Sequence, residues 1–360
     1  MAPDDISVLI PDGEHDASFK VLTCLAQAPK VRIHVISSKA RTRVRYSRFC
    51  SSFSLRTRAS EEDWFNQIRD VARQKRVNVI LPVYSEAVRF VSAGRDRLSE
   101  LAALPLLPDT RTFDVAVDKG SLARFLNEHD LPTPRTVPLA RALEAGITLP
   151  LLVKPRRLTG GLGIEYCQNE RSLKKILSAK GATVEEYIAQ ELVEGRDLSC
   201  SVLCRDGEIL AHTIHQRTIP APRPFATSFC IRLLDCPPAF EVVRGLMSAL
   251  NWSGIANVGI KFDERTPRIL DFNPRFWGNL MGSMAAGVNF PYLCCLTALK
   301  RPLPERQYRL QEYMELQHAL NRIARKLKGY GDVIPNLLRE TNLRFILRDP
   351  LPFLNRKCER

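Results

Sequence analysis

Residues 268–278 read RILDFNPRFWG. The run is apolar enough for a buried strand, yet it carries Asp271 and Asn273 two apart and then breaks at Pro274-Arg275. On an extended chain, residues i and i+2 share a face. The two side chains therefore present two oxygens side by side, with Leu270 and Phe272 expected to be buried behind them. Oxygen donors suit Mg²⁺, which takes one or two protein ligands and fills its shell with phosphate and water oxygens. Arg275 reaches the same anionic site. Taken alone, the segment reads equally well as a strand end with a turn.

The segments upstream shift that balance. GIANVGIKFDERTPRILDFNPR (254–275) has the pattern of a hairpin, with Asp263 at its turn and Gly259 opposite Asp271. Lys119 sits in VDKGS, and Lys154 ends the apolar run LPLLVKP (149–155). Each is a fixed-charge donor able to neutralise phosphate oxygens. Next comes TGGLG, residues 159–163, where Thr159, Gly160, Gly161 and Gly163 suit a loop whose N–H groups approach a phosphate. QELVEGRD (190–197) follows. A strand edge there, at Glu191 and Val193, can offer backbone groups to a base, and Asp197 a carboxylate to ribose hydroxyls. Each feature also has a plainer reading: a surface lysine, a glycine turn, an acidic linker.

In order and spacing, Lys119, Lys154-Pro155, Thr159–Gly163, Glu191–Gly195 with Asp197, and Asp271-Phe-Asn273-Pro-Arg275 resemble the ATP-grasp superfamily. The likeness is greatest to carbamoyl-phosphate-synthase-type ligases and predicted carboligases, and it covers about residues 5–300. It implies a pre-ATP-grasp α/β domain over 1–110, two α+β lobes clasping ATP over 111–300, and a basic, partly helical extension over 301–360. It further implies ATP-dependent ligation of a carboxylate to an amine or related nucleophile through an acyl phosphate. Lys119, Lys154 and the glycine loop would hold phosphates. Glu191 and Val193 would read adenine and Asp197 ribose. Asp271 and Asn273 would hold Mg²⁺ (or Mn²⁺), with Arg275 and Arg217 stabilising the acyl phosphate.

The chain departs from the family pattern in three places. Asp271 stands where the family usually has glutamate. Gly259 stands where it usually has an acidic or amide ligand. APRPFATS (221–228) lacks the glycine pair often found after the arginine strand. These departures support an alternative: a non-catalytic nucleotide-binding module with a regulatory or scaffolding role.

The first hundred residues alternate strand and helix. ISVLI (6–10), VRIHVIS (31–37) and VNVILPV (77–83) read as strands, with helices over 17–27 and 61–76, the latter capped by Ser60. That alternation predicts a parallel sheet covered by helices. Further on, one helix is expected over 114–130 and an extended proline-rich link over 131–140. Hairpin strands are expected around Asp206-Gly207.

The net charge is +14, and Ala17 to Ser60 carries basic residues and no acid. Arg41, Arg43 and Arg45 alternate, which places them on one face of an extended segment as a patch for an anionic carboxylate substrate. In residues 311–328, Tyr313, Leu316, Leu320, Ile323 and Leu327 have helical spacing among basic residues, including Lys328. Such a helix packs on its own domain or makes peripheral contact with an anionic membrane. Nucleic acid is disfavoured, since the basic stretch lacks clustered aromatics. His212 and His215, three apart on a strand, face opposite ways and make a poor metal pair. Ten scattered cysteines, no apolar run of spanning length and no signal-peptide pattern at the N-terminus lead to an expectation of free thiols and a cytoplasmic location.

Overall fold

The structure is a computed structural model describing residues 5–56, 60–219, 230–305, 307–327 and 335–355. APRPFATS (221–228) and Lys328 lie outside the described residues.

The first sheet is parallel. It holds β1 (Ile6–Ile10), β2 (Val31–Ser37), β3 (Cys50–Leu55) and β4 (Val79–Ile80), in the order β3-β2-β1-β4. Side chains alternate across a strand. Accordingly Ile6, Val8 and Ile10 join one core with Phe19 and Leu22, while Leu9 joins another with Trp64, Phe65 and Ile68. Ser60 caps the helix Glu61–Lys75 by accepting from the Asp63 N–H. Only Val79 and Ile80 of the expected third strand are paired, and β3 went unread because its pattern is mostly polar and half-buried.

The second sheet is antiparallel: β5 (Thr136–Pro138), β6 (Leu151–Pro155), β7 (Glu165–Cys167) and β8 (Tyr187–Glu191), in the order β5-β8-β6-β7. β5 lies inside the link expected to be merely extended. The third sheet has six strands: β9 (Arg196–Arg205), β10 (Glu208–Arg217), β11 (Cys230–Leu233), β12 (Gly254–Phe262), β13 (Pro267–Asn273) and β14 (Glu312–Met314). Their order is β13-β12-β9-β10-β11-β14. Asp206 and Gly207, at φ 47° and 84°, make the β9–β10 turn. The helix Pro237–Ala249 covers one face of this sheet, packing Val243, Leu246 and Met247 against Cys200, Val202 and Ile214.

Four expectations are corrected. The helix over 114–130 is two helices, Thr110–Val117 and Lys119–Glu128, because Asp118 stops the first and caps the second, accepting from the N–H groups of Gly120 and Ser121. Arg41, Arg43 and Arg45 form no extended patch. Arg43–Tyr46 is a 3₁₀ turn; Arg43 is buried over the Phe19 ring, bonded to Asp16 and to the Pro352 carbonyl, while Arg41 and Arg45 are exposed. Tyr313 belongs to β14, so the helical stripe starts only at Leu316; Ala319 of the helix Leu316–Leu327 is buried, and Leu320 and Leu327 are exposed. Leu270 is not buried behind Asp271. The β12–β13 register shifts there, with Gly259 opposite Asp271 and Ile260 opposite Ile269, so Leu270 is the extra residue of a bulge.

The nine described cysteines are free thiols. Among the described residues no single helix is long and apolar enough to cross a membrane; the bent pair Leu280–Ala286 and Phe290–Ala298 passes by length but is mostly buried. One core runs from β1 through Phe276, Trp277 and Phe290 to Phe345, so both ends of the chain share it. The C-terminal segment is clasped onto the first sheet. Asp349, buried, accepts from Ser47 Oγ at 2.5 Å and from the Arg48 N–H at 3.1 Å. Asp349→Ala strands these donors and should lower stability by about 1–3 kcal/mol. Urea denaturation reads the loss, and limited proteolysis should cut first near the C-terminus.

Candidate functional site

A cleft opens between β6 and β8 on one side and β12 and β13 on the other. Lys119, Lys154, Thr159, Gly160, Gly161, Glu191, Val193, Asp197, Arg217, Asp271, Asn273 and Arg275 all line it. The bulge turns Leu270 into the cleft as well. Gly163 is the exception. Its φ is +70°, and a Cβ there would meet Pro155 Cγ at 2.8 Å, so it serves the packing of the loop on β6 rather than the cleft wall.

Lys154 ends β6 almost fully buried, and its Nζ donates to Gln190 Oε1 at 2.5 Å. Gln190 is held in turn by Thr136 Oγ1 of β5 at 3.0 Å. Burial lowers the Lys154 pKa to about 8, with Asp271 opposing and Lys119 and Lys261 adding to the drop. Lys119 Nζ donates to the Leu158 carbonyl at 2.6 Å, and burial lowers its pKa against the pull of Asp271 and Asp118. Burial also lowers the Arg275 pKa, opposed by Tyr84 and Asp271. Arg275 donates to the Phe276 carbonyl at 2.9 Å and to Asn273 Oδ1 at 3.3 Å, while its Nε is buried without a partner.

Asp271 lies over Gly259. A Cβ at 259 would come within 2.0 Å of Asp271 Oδ1, so the glycine makes room for this carboxylate. Asn273 Nδ2 lies 3.4 Å from both Asp271 Oδ2 and the Asn257 carbonyl. Among the described residues no group of three His, Cys, Asp or Glu side chains could hold a metal. One carboxylate and one amide, facing three cations, do not make a cage for a lone cation. They do fit Mg²⁺ arriving on a polyphosphate, which brings its own oxygens.

Asp197 bonds Lys261 Nζ at 2.9 Å and lies 3.8 Å from Arg217. The Glu191 N–H is engaged by the Arg135 carbonyl at 2.9 Å. His215 also lines the cleft, and burial, reinforced by Arg217, lowers its pKa to about 4, so it is neutral at pH 7. His212 faces the other way, its ring tilted against Phe240 at 4.3 Å.

Sequence reasoning missed Gln190, Lys261 and Tyr84. Tyr84 OH lies 3.2 Å from Thr159 Oγ1, its ring lies 4.6 Å from the Arg275 guanidinium and 4.1 Å from the His15 ring. It follows β4 of the first sheet, and only its position at the end of the apolar run VNVILPV could have signalled it.

Two family profiles match the chain: "ATP-grasp in the biosynthetic pathway with Ter operon" over 183–320, and "D-ala D-ala ligase C-terminus" over 125–221. A D-alanine–D-alanine ligase of Polaromonas naphthalenivorans is 26% identical over 223 residues, covering 54% of this chain and 68% of that protein. A carbamoyl phosphate synthase large chain of Thermomicrobium roseum is 27% identical over 188 residues, covering 48% of this chain and 17% of the other. The chain thus spans a minor part of that synthase. Among solved structures, N5-carboxyaminoimidazole synthetase of Staphylococcus aureus, complexed with ADP, aligns with a TM-score of 0.67 at 16% identity over 90% of this chain and 86% of that one. The L-amino acid ligase of Bacillus licheniformis aligns at 0.61 and 17%, over 82% and 74%.

The Lys154 pKa carries a pH signature. An anion bound at Nζ stabilises the protonated form, so binding above about pH 8 requires proton uptake. Affinity for a polyphosphate should fall as pH rises through about 8, and Lys154→Met should flatten that slope; titration with inorganic triphosphate at several pH values checks it. The stability sign is opposite. Between about 8 and 10.5 the unfolded chain holds the proton that the folded one has lost, so stability rises with pH there.

Proposed function

We propose that the chain is an ATP-grasp protein, as its fold and motif order support, and that it is an ATP-dependent ligase. It joins a carboxylate to an amine or related nucleophile through an acyl phosphate and releases ADP and phosphate. The observation that carries this reading is the single cleft in which Lys119, Lys154 and Arg275 surround Asp271 and Asn273. A cleft lined by more cations than carboxylates favours a polyanion.

In this reading Lys119 and Lys154 grip the phosphates, and the Thr159–Gly161 loop covers them, steadied by Tyr84. The strand end at Glu191 and Val193 lies against the adenine. Asp197, held by Lys261, accepts from the ribose. Mg²⁺ (or Mn²⁺), held by Asp271 and Asn273, would neutralise phosphate charge. A carboxylate oxygen attacks the γ-phosphorus and ADP leaves. The amine nitrogen then attacks the acyl carbon, loses its proton, and phosphate leaves. Arg275 is the nearer donor for the acyl phosphate; Arg217 is the weaker one, because Asp197 already engages it. The protein's part is to position and neutralise.

The second reading, a nucleotide-binding module without catalysis, rests mainly on Gly259. The place of Asp271 over Gly259 weakens it, since a carboxylate still reaches the site. ADP release on adding a panel of carboxylic acids separates the two, with hydroxylamine replacing the amine to trap acyl phosphate as hydroxamate. The ligase reading predicts acid-dependent ADP and hydroxamate, with kcat/KM down about 10²-fold or more in Lys154→Ala. ATP binding with no acid-dependent ADP release would favour the module.

A further inference from the structure

The acid-free stretch from Ala17 to Ser60 takes no part in the cleft, since none of its side chains lines it. The fold sets its arginines beside the end of the chain instead. Arg43, buried, donates through Nε to the Pro352 carbonyl at 3.2 Å, and the Arg48 N–H reaches Asp349. These bonds join the turn Arg43–Tyr46 to two short helices, Leu343–Arg348 and Leu351–Leu354. Phe345 and Pro352 are buried, and Phe353 meets the Phe19 ring at 5.2 Å. With those side chains turned inward, Leu347, Leu351 and Leu354 are left outward, 67%, 56% and 77% exposed.

Single exposed leucines are ordinary; a concentration of them is not. Of the thirteen large hydrophobic side chains exposed among the described residues, seven lie between Leu310 and Leu354. The three on the last two helices stand among cations. Arg41, Arg45 and Arg48 are exposed on and beside the clasped turn. Arg348 is exposed between the leucines, and donates to Gln27 Oε1 at 2.5 Å. Among the described residues none of these four arginines is paired with a carboxylate. The neighbouring carboxylates are engaged elsewhere: Asp16 with Lys20 and Arg43, Asp349 with Ser47 and the Arg48 N–H.

Apolar side chains that stand out among basic ones match an anionic bilayer, where leucines enter the acyl boundary and arginines meet lipid phosphates. They match a protein partner less well. Protein interface cores favour aromatic anchors, and the one aromatic side chain of the last helix, Phe353, is turned inward. We propose that the Arg43–Tyr46 turn with its flanking arginines and the helices Leu343–Arg348 and Leu351–Leu354 form one docking face for an anionic lipid membrane. That face shares no residue with the cleft, so membrane binding and ligation are separate properties.

Co-sedimentation with sucrose-loaded vesicles tests this, using phosphatidylcholine alone and phosphatidylcholine with one-third phosphatidylserine. Partitioning onto the anionic vesicles should be about tenfold stronger or more, and should weaken as salt rises. Arg41→Gln with Arg45→Gln should lower it about tenfold, and Leu351→Ser with Leu354→Ser by about as much. All four side chains are exposed, so the urea midpoints should stay at the wild-type value, separating lost binding from lost fold. Arg171→Gln with Lys175→Gln makes the same charge change on the helix Glu170–Lys180, away from that face, and should leave partitioning near the wild-type level. No binding to either vesicle, equal binding to both, or a loss in the Arg171 and Lys175 pair as large as in the Arg41 and Arg45 pair would each overturn the assignment. Binding to polyglutamate without binding to vesicles would overturn it too, and would point to an acidic protein.

Discussion

Asp271 faces three cations, buried Lys154 and half-buried Lys119 and Arg275. Asp271 is a counter-charge felt by Lys119, Lys154 and Arg275 alike, and burial lowers the pKa of all three. The cleft is lined by five cations, Lys119, Lys154, Arg217, Lys261 and Arg275, against three carboxylates, Glu191, Asp197 and Asp271, so positive charge is in excess. The excess would be offset by a bound polyanion, and that imbalance is what supports reading the cleft as a phosphate site. Gly259 is part of the same arrangement. By having no side chain it leaves Asp271 the space over β12, so a departure that suggested a missing ligand is also the condition for the ligand that remains.

The fold keeps this unbalanced charge in place. Lys154 is fixed at the end of β6 by Gln190, which Thr136 steadies from the neighbouring edge. Asp271 is aimed by a hairpin whose bulge at Leu270 sets which side chains meet the cleft. The first sheet contributes through Tyr84, whose backbone N–H is held by buried Asp12 at 2.7 Å and whose ring lies beside Arg275. The second and third sheets, the hairpin and the segment after β4 therefore converge on a few side chains.

Much of this was legible because it is local. The β12–β13 hairpin, the register of Gly259 against Asp271, the Asp206-Gly207 turn and the Ser60 cap all follow from residues close in sequence. What could not be read depends on distant partners. Nothing near Arg43 says that Pro352 and Asp16 will bury it, so an alternating basic run passed for a surface patch. β14 is three residues long and forms by pairing with β11 and bridging to Thr341, both distant in sequence. The bulge at Leu270 depends on its partner strand, so strict alternation misplaced that side chain. Gly163 passed for a phosphate-loop glycine because sequence shows its neighbours in the chain and not the Pro155 ring it packs on.

The central claim is that the charge around Asp271 binds a nucleotide together with its metal ion. A titration with a fluorescent ATP analogue, with and without Mg²⁺, on the wild type, Lys154→Ala and Asp271→Ala, tests it most directly. The account predicts Mg²⁺-enhanced binding in the wild type, weak binding in Lys154→Ala, and loss of the Mg²⁺ enhancement in Asp271→Ala. Absence of binding, or wild-type binding indifferent to Mg²⁺, would contradict it.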